Sequence, residues 1–283
     1  MAVAGGWVEL DSGVFRLVAE PFRLNVGLIV GKERAVLVDT GASLATGQEL
    51  VSRARTVTAL PLGAINTHSH FDHCFGNGAF DAQVIWSHRL CADHLRWDGL
   101  EHRREAVAQL RSGNVAAAQE LAASPVVSAG CLLEERAYLD LGERMVTLIH
   151  PGRGHTDNDV AAWLADVRLL FAGDLVEEGE APSFEDSYPL DWPDSLGVLL
   201  ALQPARVIPG HGQVVDPVFV RQQQTDLQKL ADLCRDGFRN SRRPSEMDEE
   251  TVLPARTART AIGRAYSQLA AESSGVWVER QPG

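Results

Sequence analysis

Lysine is almost missing from this chain of 283 residues: Lys32 and Lys229 stand alone, and every other member of the 26 Lys and Arg residues is arginine. Acidic side chains number 38, which leaves a formal charge of -12 spread without long like-charged blocks. That balance disfavours nonspecific attraction to nucleic acid or to an anionic membrane, so neither is expected as a partner, and a small molecule is the expected substrate. Cysteine is scarce too. Cys74, Cys91, Cys131 and Cys234 lie far apart with no C-x-x-C pair, which argues against a disulfide framework and a thiolate zinc knuckle and suits a reducing cytoplasm. No stretch approaches about 20 uninterrupted apolar residues, and the first ten residues lack the charged-then-apolar pattern of a leader. Secretion and membrane spanning are therefore not expected. Internal repeats and low-complexity segments are also missing, and oligomeric state is not legible.

Imidazole, by contrast, is concentrated. The run His68-Ser69-His70-Phe71-Asp72-His73 puts three His and one Asp into six residues, directly after the apolar stretch ending in Ile65-Asn66-Thr67. Imidazole is the commonest metal ligand, and a carboxylate oxygen completes sites for zinc and similar ions. In an extended segment His68 and His70 point the same way and can share one metal, while a turn after them aims Asp72 and His73 elsewhere. One short loop cannot enclose an ion. Further candidates follow in Gly-bracketed loops behind apolar runs: His155 in Gly152-Arg153-Gly154-His155-Thr156, Asp174 in Ala172-Gly173-Asp174, and His211 in Pro209-Gly210-His211-Gly212. The seven candidates suffice for two metals.

With these motifs in order, the chain resembles the metallo-β-lactamase-fold hydrolase superfamily, whose pattern is H-x-H-x-D-H followed by isolated His, Asp and His. The resemblance reaches upstream to Val36-Leu37-Val38-Asp39-Thr40-Gly41 and covers roughly residues 8–215. It implies an α/β fold, a four-layer αββα sandwich, here with a helical insertion and C-terminal helices. It also implies that His68, His70 and His155 hold one metal, that Asp72, His73 and His211 hold a second, and that Asp174 bridges them. The cofactors expected are two zinc ions, with iron or manganese as alternatives.

Because the ligand candidates run from 68 to 211, no cut between them leaves both halves with a complete site, and a single domain over 1–283 is expected. Short β-branched runs at 14–18, 24–30, 35–38 and 64–66 read as strands, and 43–60 carries helical spacing up to the stop at Pro61. The segment 87–123 is rich in Ala, Leu, Arg and Glu and reads as two or more helices covering the site. Strand character returns at 145–150, 160–164 and 168–171. Asp216-Pro217 looks like an N-cap with Pro at the first helical position, opening the C-terminal helical segment of 216–283, in which 239–250 is a polar loop and 256–270 helical again.

Two ions about 3.5–4 Å apart can share a hydroxide and stabilise the oxyanion formed on attack at a carbonyl or phosphoryl centre. The expected reaction is hydrolysis of a small ester, thioester or lactone. Two alternatives are β-lactamase or phosphodiesterase activity on the same metals; a third is a metal-binding module without turnover. The resemblance is nearest to the glyoxalase II-like branch, since lactam-cleaving relatives generally lack a carboxylate at the position of Asp174. Asp72 is a candidate proton relay and Tyr188 a candidate donor to the oxyanion. Asp39 reads either as a carboxylate orienting a ligand imidazole or as a loop cap. Arg153 reads as a solvated loop residue or an anion clamp, Trp192 as core, Cys74 as filler beneath the site, and His88, His94, His102 and His150 as surface or packing residues.

Overall fold

The computed structural model describes residues 5–273. The first seven strands make one sheet in sequence order: β1 (Val8–Asp11), β2 (Val14–Ala19), β3 (Leu24–Val30), β4 (Ala35–Val38), β5 (Leu62–Ile65), β6 (Ile85–His88) and β7 (Cys131–Leu133). Pairing is antiparallel from β1 to β4 and parallel from β4 to β7. The second sheet has five strands in the order β12-β11-β10-β9-β8, comprising β8 (Arg136–Asp140), β9 (Met145–Ile149), β10 (Ala161–Leu164), β11 (Leu169–Gly173) and β12 (Arg206–Pro209).

Side-chain alternation along a strand decides which layer each residue joins. In β4, Val36 and Val38 enter the cluster between the sheets with Ile29, Ile65, Val146, Leu148, Leu169 and Phe171. Their neighbours Ala35 and Leu37 face the other way, onto Leu50 and Ala54 of helix α1 (Leu44–Arg55). The second sheet turns Ile149, Leu170 and Ala172 outward onto the C-terminal helices α6 (Trp192–Ala201), α7 (Pro217–Arg239) and α8 (Ala255–Ser273). Two sheets enclosed by helices on both outer faces form the αββα sandwich.

Local signals start the helices. Ser43 caps α1 by accepting from the Thr46 amide. Asp216 caps α7 by accepting from the Val218 and Phe219 amides, with Pro217 in the first turn, where its missing N–H costs nothing. After β5 the chain makes the single turn α2 (Phe71–Cys74), and between β6 and β7 run α3 (Arg89–Trp97), α4 (Gly99–Leu110) and α5 (Val115–Ala123). These pack Cys91, Leu95, Ala106, Val107 and Leu121 against Cys74 and Phe75 beneath the His-rich loop. The polar stretch before α8 contains two short 3-10 turns, Pro244–Glu246 and Asp248–Glu250. Among the described residues no helix is long and apolar enough to cross a membrane.

Candidate metal centre

Every candidate ligand leaves the sandwich at the same end. Asp39 follows β4, the His-rich loop follows β5, His155 lies between β9 and β10, Asp174 follows β11 and His211 follows β12. The parallel pairs β4–β5 and β11–β12 end in register, so their loops emerge side by side. The two sheets are tied together there: the Asn25 amide donates to Gly210 O at 2.7 Å and Asn25 Nδ2 donates to Pro209 O at 2.8 Å.

The ligand atoms fall into two groups. His68, His70, His155 and Asp174 form one, and Asp72, His73 and His211 the other, each with its atoms within 4.8 Å of one another. Asp174 stands between them. Its carboxylate is 3.4 Å from His73 Nε2 and 3.7 Å from His211 Nε2 on one side, and 3.7 Å from His155 Nε2 and 3.9 Å from His68 Nε2 on the other.

Four of the five imidazoles have the outer nitrogen hydrogen-bonded, and the fifth, His155, has a carboxylate close to it. His73 Nδ1 is 2.8 Å from Asp39 Oδ2, His211 Nδ1 is 2.9 Å from Phe22 O, and His70 Nε2 is 3.1 Å from Asp186 Oδ2. His155 Nδ1 makes a longer contact of 3.4 Å with Glu177 Oε1, and His68 Nδ1 lies 3.1 Å from Thr67 Oγ1. Donating the outer N–H fixes the tautomer that leaves the inner lone pair free for a metal. His68 Nε2, His73 Nε2 and Asp174 Oδ1 are buried without a hydrogen-bond partner. Orphaned atoms of this kind are costly unless a further group satisfies them. His155 Nε2 also faces His70 Nδ1 at 3.0 Å, an approach of two inner nitrogens that a cation between them relieves. The donor set therefore fits divalent ions.

Electrostatics agree. Burial opposes ionisation of Asp72, yet His73 and His211 outweigh it and hold the carboxyl down at about 2. Asp174 is likewise held well below the carboxylate range, against burial, by His73 and His211. Burial would depress His73, His155 and His211, but the carboxylates win: Asp174 and Asp39 hold His73 well above its ordinary value, Glu177 and Asp174 push His155 up to about 10, and Asp174 and Asp72 push His211 up to about 9. His68 goes the other way, depressed by burial and by His73 and His70. The carboxylates call for positive charge at the centre, which protons or divalent ions can supply in competition.

Tight packing explains the glycine of the last ligand loop. A Cβ on Gly210 would lie 1.8 Å from Asp174 Oδ1, so only glycine lets this backbone pass beside the central carboxylate. Asp39 takes both roles that its motif allows: besides His73 it accepts from the Thr67 amide at 2.8 Å and from Thr67 Oγ1 at 2.9 Å. Ser69 is buried and accepts from Asn158 Nδ2, and Thr156 Oγ1 donates to Asp159 within the His155 loop.

The covering segments reach the site from two sides. From α3, His94 lies 3.5 Å from Ser69 Oγ and 3.7 Å from Asp157. After Asp174, the connection 177–191 brings Glu177 to His155 and Asp186 to His70, two contacts that motif reading missed because nothing in their spacing marks them. Tyr188 is half-buried, its ring flanked by Arg153 at 4.5 Å and Arg264 at 5.7 Å. Arg153 pairs with Asp191 at 2.6 Å, and Trp192 is fully buried, donating from Nε1 to Leu175 O. His88 is buried and stacked on His150, and neither belongs to the two ligand groups.

Comparison with known proteins places these features in a family setting. The family model described as "Metallo-beta-lactamase superfamily" matches residues 19–211. Acyl-coenzyme A thioesterase MBLAC2 of Bos taurus is 28% identical over 201 residues, covering 60% of this chain and 66% of that protein. Metallo-beta-lactamase type 2 of Bacillus sp. (strain 170) is 26% identical over 219 residues, covering 74% of each. The chain spans just under two thirds of the length of the thioesterase relatives. Among solved structures, TMB-1 superposes with a TM-score of 0.61 at 20% identity over 80% of this chain and 98% of that one. The sec-alkylsulfatase Pisa1 from Pseudomonas sp. reaches 0.73 at 14% identity over 98% of this chain and 52% of that one. At such identities the likeness is one of fold.

Proposed function

Because the chain belongs to the metallo-beta-lactamase superfamily, we propose that it is a hydrolase carrying two zinc ions, cleaving a small ester, thioester or lactone. His68, His70 and His155 would hold the first ion, Asp72, His73 and His211 the second, with Asp174 available to both. When bound, such ions polarise the scissile group and make a water nucleophilic at neutral pH. The observation that carries this reading is the central carboxylate: Asp174 lies within 3.9 Å of four imidazole nitrogens that belong to both groups.

The chain's own residues do the rest. Asp72, kept ionised and 3.2 Å from His211 Nε2, takes the proton given up by the attacking water and passes it to the leaving group, which departs as an alcohol or thiol. Tyr188, whose phenol is kept protonated as burial and Asp157 raise its pKa, donates to the oxyanion. A thioester is the substrate favoured, since acyl-coenzyme A thioesterases are among the relatives and Asp174 places a carboxylate between the two ligand groups. The four free thiols suit action in the cytoplasm. Zinc quantification on purified protein, paired with a panel of thioester, lactone, β-lactam and phosphodiester substrates, tests this reading. Two ions per chain with thioester or lactone turnover supports it; one ion at saturation, or cleavage confined to β-lactams or phosphodiesters, overturns it.

A further inference from the structure

The imidazoles of the first group are not equally held. His68 and His155 side chains are 1% exposed and fixed by packing, whereas His70 is 31% exposed. Its orientation depends on an outside partner, Asp186, whose oxygens lie 3.1 and 3.2 Å from Nε2. Asp186 is itself 54% exposed and sits in irregular chain between β11 and α6. A carboxylate in such a place is free to swing unless its backbone is pinned.

Helix α8 does the pinning. Arg264 Nε donates to Ser187 O at 3.0 Å and its Nη2 donates to Asp186 O at 3.1 Å. One turn on, Gln268 accepts from the Leu190 amide at 3.2 Å and donates to Asp191 at 3.3 Å, gripping the same connection farther from His70. The helix is a firm platform, because Ala258, Ala261, Ile262 and Ala265 are fully buried, the last three in the outer core with α7. An unbroken set of contacts therefore runs from α8 through Arg264 and Asp186 to His70.

We propose that Arg264 is a positioning residue of the metal centre, holding Asp186 against His70 so that the imidazole keeps Nδ1 turned to the first ion. The inference rests on the reading that His70 is a metal ligand. It makes the C-terminal helix, which lies beyond the residues matched by the family, a determinant of metal binding. Partners of ligand His residues commonly matter to this degree, their loss costing roughly 10- to 100-fold in metal affinity.

The test measures stepwise zinc affinities on metal-free protein by competition with a chromophoric chelator, for wild type, Asp186→Ala, Arg264→Ala and the double variant. Asp186→Ala and Arg264→Ala should each weaken one zinc ion of the two, the former by roughly 10- to 100-fold, and leave the other unchanged. The double variant should bind no more weakly than Asp186→Ala, since Arg264 acts through that carboxylate. If Arg264→Ala folds poorly, Arg264→Lys replaces it, keeping the charge while losing the fork that reaches both carbonyls. Wild-type affinity in the Arg264 variant, equal weakening of both ions, or losses that multiply in the double variant would overturn the inference. A wild-type protein that binds no zinc would instead overturn the reading beneath it.

Discussion

Asp39 Oδ2 lies 2.8 Å from His73 Nδ1, and the same carboxylate accepts from both the amide and the hydroxyl of Thr67 at the mouth of the His-rich loop. One fully buried side chain thus orients a ligand candidate of the second group and fixes the path of the loop that carries the first. Its backbone is left-handed at φ 65°, a region in which Asp and Asn are the best tolerated non-glycine residues.

Asp39→Asn should therefore fold, keep its conformation and lose the anionic partner of His73. Zinc affinity of the second ion is expected to fall roughly 10- to 100-fold. Competition titration checks it, and unchanged affinity for both ions in the Asp39→Asn protein would reduce Asp39 to a loop cap.

Gly210 offers a steric route to the central carboxylate. In Gly210→Ala the new methyl must displace Asp174 or the backbone beside it, since a Cβ at this position falls 1.8 Å from Oδ1. Zinc content and turnover should both drop, as in Asp174→Ala, and combining the two substitutions should add little to the loss. A Gly210→Ala protein retaining two ions at wild-type affinity would show that the carboxylate can move without cost to the site.

Acid sensitivity has a source outside the two ligand groups. His88 Nδ1 caps α3 by accepting from the Leu90 amide at 3.3 Å, and burial, followed by the stacked His150, pushes its pKa from 6.5 down to about 4. The folded chain then binds fewer protons here than the unfolded chain between these values. Stability falls as pH drops from about 6.5 to about 4 and levels off below. His88→Asn keeps a capping acceptor but does not titrate. Urea unfolding of chelator-treated wild type and variant should diverge across that window, with the variant losing less; parallel curves would clear His88 of the effect.

Much of the centre is legible in sequence because its candidate ligands sit in short loops with fixed spacing behind apolar strands: His68 to His73 in one loop, and His155, Asp174 and His211 each preceded by glycine. The sheets are legible where strands are long and apolar with β-branched residues, as in β2 and β3. They are not where the segment carries no β-branched residue, as in β7 (Cys131–Leu133) and β8 (Arg136–Asp140). Glu177 and Asp186 escape for a different reason. Their partners lie 22 and 116 positions away, and an acidic residue in a polar connection carries no mark of the imidazole it will meet.

The last expectation concerns Tyr188. Its amide donates to Gly154 O at 2.8 Å, which seats the residue beside the His155 loop, while Arg153 and Arg264 flank its ring. Burial comes first among the causes that raise its phenol pKa, followed by Asp157, so the hydroxyl stays protonated and able to donate across the neutral range. If that donor meets the developing oxyanion, Tyr188→Phe should lower kcat by about 10-fold or more with zinc content intact, as expected for one preorganised hydrogen bond made only in the transition state. The ring remains in the variant, so the stacking with both arginines is kept and only the hydroxyl is removed. Steady-state kinetics on the best thioester or lactone decides the matter: a Tyr188→Phe enzyme with wild-type kcat would leave this ring a packing element between the His155 loop and α8.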